Sequence, residues 1–499
     1  MKRDRRVACG IVLAGVVGLL GGCGREPHDA IRLGIPTAPL GLDPRYATDA
    51  VSARIARLLY SPLVDFDAAA EPVPALASWQ MPSSTLYRFR LRDEARFSDG
   101  RAITAADVVE TYRAILDPAL ASPLHEALRN VVAVRAVDAR SVEFQLAQPD
   151  RLFPGTLGIG VMAAGDARRP RDAWRLTSGP FTLEAQRDDG SLRLRRRCDG
   201  AAVEVVVVKD ASVRALKLIA GELDIMQGNV PPEMVDWLTT RPGLRVVTHA
   251  GATFSYLGFN LSHGPLADQR VRAAISHAID RAAIVHYLFR DRAQSAASLL
   301  PSTHWASAAD LRVPAYDPAW SRRLLSAAGY ADRPLRLHYK TSADAFRLRL
   351  ATLLQSQLAE VGIDLQIDSL DWGTFYADVS AGRFEIFSLS WVGLKLPDIF
   401  RQAFHSRSLP PQGWNRGHYA EVEMDSLIEA AEVEADIARQ RLLYHAIERR
   451  LLYDLPYVPL WFEQQTALLR ADIEGFTLDA DGSFDGLTTV RRVKTHEPR

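Results

Sequence analysis

The segment from residue 335 to residue 392 constrains the fold more than any other part of the chain. It reads as strand (335–341), helix (343–360), strand (363–370), short helix (372–380) and strand (384–392). Strands separated by helices do not pair as hairpins. They need crossover connections, which give a sheet of parallel strands with helices packed on its faces. A second signal of this kind lies earlier. There "VEVVVVKD" (203–210) is a continuous apolar run, as expected of a strand buried on both faces, and a helix with an apolar stripe, "SVRALKLIAGELDI", follows it. The fold class is α/β, and 499 residues predict two or three domains.

Other elements surround these. "IRLGIPTAPLGLDPR" is a strand running into a loop with two prolines, and "FSDG" (97–100) carries the turn chemistry of Asp-Gly. "TAADVVETYRAILDP" is a helix that Thr104 caps, with Asp107 in capping-box spacing and Pro118 past its end. At 269–289, Val271, Ala274, Ile275, Ala278, Ile279 and Ala282 recur at helical spacing and predict one helix. "MDSLIEAAEVEADIARQRLLYHAIERRLL" (424–452) predicts another, before a strand-rich tail.

Lys+Arg and Asp+Glu number 60 each, and the body of the chain has no basic run, which argues against a nucleic-acid partner. The N-terminus differs from the rest. Lys2, Arg3, Arg5 and Arg6 precede the apolar run Val7 to Leu20, which is shorter than the ~20 residues a membrane span needs and fits the apolar core of a signal peptide. Gly21-Gly22-Cys23 follows, and "LGGC" resembles the bacterial lipobox. That resemblance implies cleavage before Cys23 and its diacylglyceryl modification. Cys9 then leaves with the signal peptide and Cys198 remains as a lone thiol, so no intrachain disulfide is expected.

Signatures of catalysis and metal binding are missing from the sequence. There is no G-x-S-x-G, no G-x-x-x-x-G-K and no H-E-x-x-H, and Cys198 beside "RRR" has no marked partner base. "DADGSFD" places Asp479, Asp481, Ser483 and Asp485 at alternate positions. Phe484 stands where a calcium loop needs glycine and Val490 where it needs its bidentate Glu, so the stretch reads as a polar turn. No catalytic residue, cofactor or metal site is expected.

Three longer stretches carry a family resemblance: "YRFRLRDEARFSDGRAITAADVVETYRAILDP" (87–118), "SGPFTL" (178–183) and "LGFNLSHGPLADQRVRAAISHAIDR" (257–281). With "AGELDI" and "DLPYVPLW" they resemble the family-5 solute-binding proteins of bacterial ABC importers, the oligopeptide-, dipeptide- and nickel-binding periplasmic proteins. The resemblance covers essentially the whole mature chain. It implies a periplasmic-binding-protein fold of type II, with two hinged α/β lobes and an inserted third lobe. The boundaries it suggests are a signal peptide (1–22), a lipidated linker (23–29), lobe I in three parts (30–47, 171–262, 466–499), inserted lobe II (48–170) and lobe III (263–465). The implied function is non-catalytic. A monomeric receptor, anchored through Cys23 at the periplasmic or outer face of the envelope, encloses a peptide or peptide-like solute between lobes I and III. It then delivers the solute to permease and ATPase subunits.

The resemblance also nominates a site. In the peptide binders a strand ending in Gly-Trp pairs with the peptide main chain, and an aspartate three residues later holds its amino group. Here the strand ends "EIFSLSWVGLKLPDIF", so the tryptophan is Trp391 and the flanking backbone belongs to Ser390 and Val392. Leu394 stands in the aspartate's place, and the nearest acid is Asp398. Leu40, Gly41, Leu42, Phe254 and Tyr256 match cleft-lining segments, and Arg347 or Lys340 is placed to meet a carboxylate. Leu394 keeps a nickel chelate, an opine or an oligosaccharide open as the solute, with His418 the histidine to test for a metal. An envelope sensor or hydrolase on the same fold is the alternative from another class.

Overall fold

The structure is a computed structural model describing residues 30–171, 176–262, 264–411 and 413–493. The expected signal peptide and the expected lipidation site Cys23 lie outside the described residues.

An eleven-stranded sheet runs through both halves of the molecule. In the first half, β1 (Ile31–Ile35) lies between β2 (Ala202–Val207) and β3 (Ile225–Gln227) and is parallel to both. Val203 and Val205 of the apolar run are fully buried, whereas Val206 and Val207 are half-buried. The long strand β4 (Leu244–Phe259) then leads out of this half. In the second half, β5 (Leu335–Ser342) is parallel to both β6 (Ile363–Leu370) and β7 (Ile386–Trp391). The alternation of strands and helices expected over 335–392 is the one observed. A second long strand, β8 (Tyr457–Arg470), returns antiparallel to β4 and ties the halves together.

The pairing of β4 with β8 shifts register twice, by one residue between Ser255 and Tyr256 and by more between His249 and Thr253. Between His249↔Gln465 and Thr253↔Glu463, β4 advances by two more residues than β8 does, a bulge centred on 250–252. On one side of it, β8 pairs with β3 (Gln227↔Ala467). On the other, β4 pairs with β7 (Phe254↔Trp391). The bulge therefore sits where the two half-sheets meet.

Residues 77–146 form a separate four-stranded antiparallel sheet covered by the helix Ala105–Leu116. Its core is aromatic, with Tyr112 edge-on to Phe144 at 5.2 Å. The cap expected at Thr104 is present, since its backbone N–H donates to the Asp107 carboxylate at 2.9 Å. The Asp-Gly turn closes through Gly100 N–H to Phe97 O at 3.0 Å.

Two expected helices are broken. The segment 269–289 forms α1 (Gln269–Ala278) and α2 (Arg281–Tyr287). Asp280 restarts the helix by accepting from Ala283 N–H at 2.9 Å, and the change of phase leaves Ala282 exposed while Val271 to Ile279 keep their buried stripe. Likewise 424–452 divides into Val422–Val433 and Ile437–Asp454, the second capped by Asp436 accepting from Arg439 N–H at 2.9 Å. In both places an aspartate cap overrides a continuous apolar periodicity. Between β5 and β7 lie α3 (Ala345–Ala359) and α4 (Trp372–Ser380).

Candidate functional site in the cleft between the half-sheets

Strand direction places the site. The carboxyl end of β3 runs along β8 toward the bulge, and the carboxyl end of β7 runs along β4 toward the same bulge from the other half. The carboxyl ends of both parallel strand sets thus face one crevice, the position where open α/β sheets bind ligands. Ion pairs cross it. Lys395 meets Asp481 at 2.8 Å, Arg349 meets Glu233 at 2.9 Å, and Arg292 meets Asp236 at 2.7 Å.

One wall is a strand edge. β5 pairs with β7 only at Tyr339↔Ile386 and Lys340↔Phe387, then diverges. On its other side β7 stays paired with β4 as far as Trp391. Asn260 N–H donates to Glu385 O at 3.0 Å, which sets the phase of that antiparallel ladder. Alternation then turns the N–H and C=O groups of Ser388, Ser390 and Val392 away from β4; Ser388 N–H still closes the last pair with β5, and Ser390 and Val392 face the gap beyond it. Ser390 and Val392 thus lie beyond the last pair with β5, beside Trp391.

Trp391 closes the strand on one face of the sheet. Its ring stacks on Tyr256 (6.3 Å, 12°) and leans on Trp414 (5.2 Å). Tyr256 is sandwiched further by Tyr457 at 4.0 Å and by Phe254 at 5.8 Å. Phe254 and Tyr256 were expected to line the cleft. The structure corrects this, because both side chains are fully buried behind Trp391 in the apolar layer that supports it. Leu42 is buried in the core around β1, so its side chain is not a lining group either. Leu40 is 78% exposed and borders a surface depression with Tyr46, Thr48 and Arg171, while the backbone N–H groups of Leu40 and Gly41 both donate to Ser52 Oγ.

The nominated cations are occupied. Arg347 donates to Glu463 at 3.3 Å, and Ser255 Oγ donates to the same carboxylate at 2.9 Å while sharing a 2.7 Å hydrogen bond with Ser390 Oγ. Lys340 meets Asp378 at 2.5 Å. Leu394 packs against the apolar layer beneath Trp391. His418 has a backbone φ of 56°, and among the described residues no group of three His, Cys, Asp or Glu side chains converges on a point that holds a metal.

Asp398 faces elsewhere. Its charged neighbours are Asp150 and Glu432, with Arg129 opposing them, so it belongs to the seam between the inserted sheet and the second half. Burial, reinforced by the Asp150 and Glu432 charges, pushes its carboxyl up to about 7. A carboxyl raised in the folded state favours folding below its unfolded pKa and loses that contribution as pH rises through the folded value. Asp398→Asn should therefore melt about 2–5 °C above wild type at pH 8, with the gap narrowing at pH 5. Melting curves at the two pH values check this, and a lower melting point at pH 8 would show that the carboxylate stabilises the seam.

Sequence reasoning missed the loop after 405. Asn415 Nδ2 donates to His405 O at 3.1 Å and Tyr419 O at 2.7 Å, and its Oδ1 accepts from Tyr419 N–H at 2.9 Å. This pinned loop carries Trp414 and Arg416 to Trp391. Trp372 and Tyr376, stacked at 5.7 Å at the start of α4, had a legible signal, since they follow the carboxyl end of a predicted strand.

Residues 71–406 match the family described as bacterial extracellular solute-binding proteins, family 5, middle region, over well more than half of the chain. The chain belongs to that family. Its relatives include the peptide transport periplasmic protein SapA of Salmonella typhimurium, 29% identical over 489 residues, with 89% of each chain covered. A second is di/tripeptide-binding protein 2 of Pseudomonas aeruginosa, 27% identical over 493 residues, covering 90% of this chain and 92% of the relative. Among solved structures, NikZ from Campylobacter jejuni in complex with Ni(L-His) superposes with a TM-score of 0.82 at 22% identity, covering 94% of this chain and all of the other. At that identity the likeness establishes the fold. No helix among the described residues is long and apolar enough to cross a membrane.

Proposed function

We propose that this family-5 protein captures peptides or peptide-like solutes outside the inner membrane, without catalysis, and hands them to the permease and ATPase of an ABC importer. The observation that carries the solute class is the free edge of β7, where Ser390 and Val392, beyond the last pair with β5, turn their backbone groups away from β4 beside Trp391. An extended peptide laid in the gap adds a strand there, its main chain satisfied and its side chains left to roomy flanking space. Peptide transport in SapA and di/tripeptide binding in the Pseudomonas relative support the same reading. Closure bends the two long strands at their bulge. The ion pairs across the cleft contribute at most about 1 kcal/mol each, which lets the cleft reopen. Diacylglyceryl modification of Cys23 would tether a monomer to the membrane.

A thermal-shift screen with di- to octapeptides tests this. A bound peptide at 100 times its Kd should stabilise the fold by roughly 2.7 kcal/mol, a shift of several degrees. Failure of all peptides alongside stabilisation by a nickel chelate, opine or oligosaccharide would remove the peptide class. That second reading draws on Leu394, which cannot hold an ammonium, and on the acids of the cleft wall. Glu463, Asp378 and Asp481 are each already paired with a cation.

A further inference from the structure

Arg416, at the cleft, makes no ion pair with an acid among the described residues. Its residue is 5% exposed, and its guanidinium lies 5.6 Å from the Trp391 ring and 5.6 Å from the Tyr376 ring. Nη2 donates to Tyr376 Oη at 3.2 Å, and this is its one side-chain hydrogen bond among the described residues. The groups acting on its charge are the phenols Tyr256, Tyr457 and Tyr376, with no carboxylate among them. A buried guanidinium ordinarily has an anionic partner, because desolvating it alone is costly. Two rings and one phenol hold it in place, and Nε and Nη1 make no hydrogen bond to a described residue. The neighbouring donor is also unsatisfied, since Trp391 Nε1 has no acceptor among the described residues.

The position is informative. Trp391 ends β7, and Tyr376 belongs to α4, which packs over β5 and β6. Arg416 touches both rings and so spans the gap where β5 and β7 part. Trp414 flanks it on one side and Trp372, stacked on Tyr376, on the other, 43% and 60% exposed. Alternation along β7 puts Ser390, and with it Arg347, on the opposite face of the sheet. Two guanidiniums thus flank the same strand edge, one neutralised by Glu463 and one without an ion pair among the described residues.

We propose that Arg416 receives an anionic group of the solute, a carboxylate in the first instance, and that recognition is by this acid end with no need for a free amine. The inference rests on the reading of this cleft as the solute site. Two N–H groups of a guanidinium match the two oxygens of a carboxylate, and the rings of Trp391, Trp414, Tyr376 and Trp372 offer flat apolar surface to what is attached to it. A positively charged end finds Glu463, Asp378 and Asp481 already paired with cations.

The experiment titrates the protein's tryptophan fluorescence with a mixed tripeptide library in three forms: free, N-acetylated and C-amidated. N-acetylation should leave affinity within about threefold, and amidation should weaken it at least tenfold. Arg416→Gln should reproduce the tenfold loss for the free acid, and Arg416→Lys, which keeps charge without the fork, should lose less. The wild-type comparison of acid with amide needs no variant to fold. Equal affinity of amide and acid, or acid affinity unchanged in Arg416→Gln, overturns the proposal and leaves the peptide reading standing. If none of the three libraries binds, the peptide reading fails and benzoate decides the anion site. Saturable quenching that Arg416→Gln abolishes supports it, and no saturable quenching up to the solubility limit overturns it.

Discussion

Gly251→Ala is expected to lower the melting temperature by roughly 5 °C or more and to weaken solute binding in the same variant. Gly251 lies in the bulge between His249 and Thr253, where β4 carries its two extra residues past β8. A methyl group there would overlap the carbonyl oxygen of Glu463, a backbone atom that no side-chain rotation moves aside. The neighbouring Ala252 N–H, turned out of the ladder by the bulge, donates to Ala480 O at 2.8 Å, so the extra residues are fixed on their other side as well. Relief therefore requires the two long strands to separate, which costs about 3 kcal/mol or more. Binding should suffer with stability because Glu463 is also the residue whose carboxylate holds Arg347 and Ser255 at the cleft wall. Thermal melts and peptide titrations of the same preparation check both effects. An unchanged melting point would mean that β4 and β8 do not pass each other as described.

How far the sequence reaches is clearest from individual residues. The order of elements from 335 to 392 was legible because each switch between period 2 and period 3.6 is local, and the observed β5, β6 and β7 follow it closely. Trp391 was legible at the end of an apolar strand, and Ser390 and Val392 came with it. The helix breaks at Asp280 and Asp436 were not, since a cap and a surface aspartate look alike until the chain on either side turns. Phe254 and Tyr256 lie on the correct strand but on its covered side, a fact set by the helices and rings packed over that face. Asp398 is near Trp391 in sequence, yet its neighbours are residues 129 and 150, which flank strands of the four-stranded sheet, and 432 of a later helix. Arg416 illustrates the limit best. It has no acid beside it among the described residues, and an absent partner is a property of the folded surroundings alone.

Arg272→Ala is expected to cost about 3–5 kcal/mol of stability while leaving the solute affinity of the folded protein within twofold. Arg272 belongs to the run "RVRAAISHAIDR", which helps mark the chain as a family member, so a ligand-binding role has to be weighed for it. Its contacts are all internal. Nε and Nη2 donate to Asp454 O at 2.9 and 2.6 Å, and Nη1 donates to Leu266 O and Ala267 O at 2.9 Å each. The guanidinium thus satisfies a carbonyl at the carboxyl end of the helix Ile437–Asp454 and ties that end to the turn before α1. Alanine would leave these carbonyls in a site only 6% exposed without four charge-assisted hydrogen bonds. Asn260 from the same stretch acts alike, donating to Gly382 O and Phe384 O at 3.2 Å. Urea unfolding of Arg272→Ala beside a peptide titration of its folded fraction separates the two roles. A variant of near-wild-type stability with lost affinity would move this motif out of the scaffold and into the binding site.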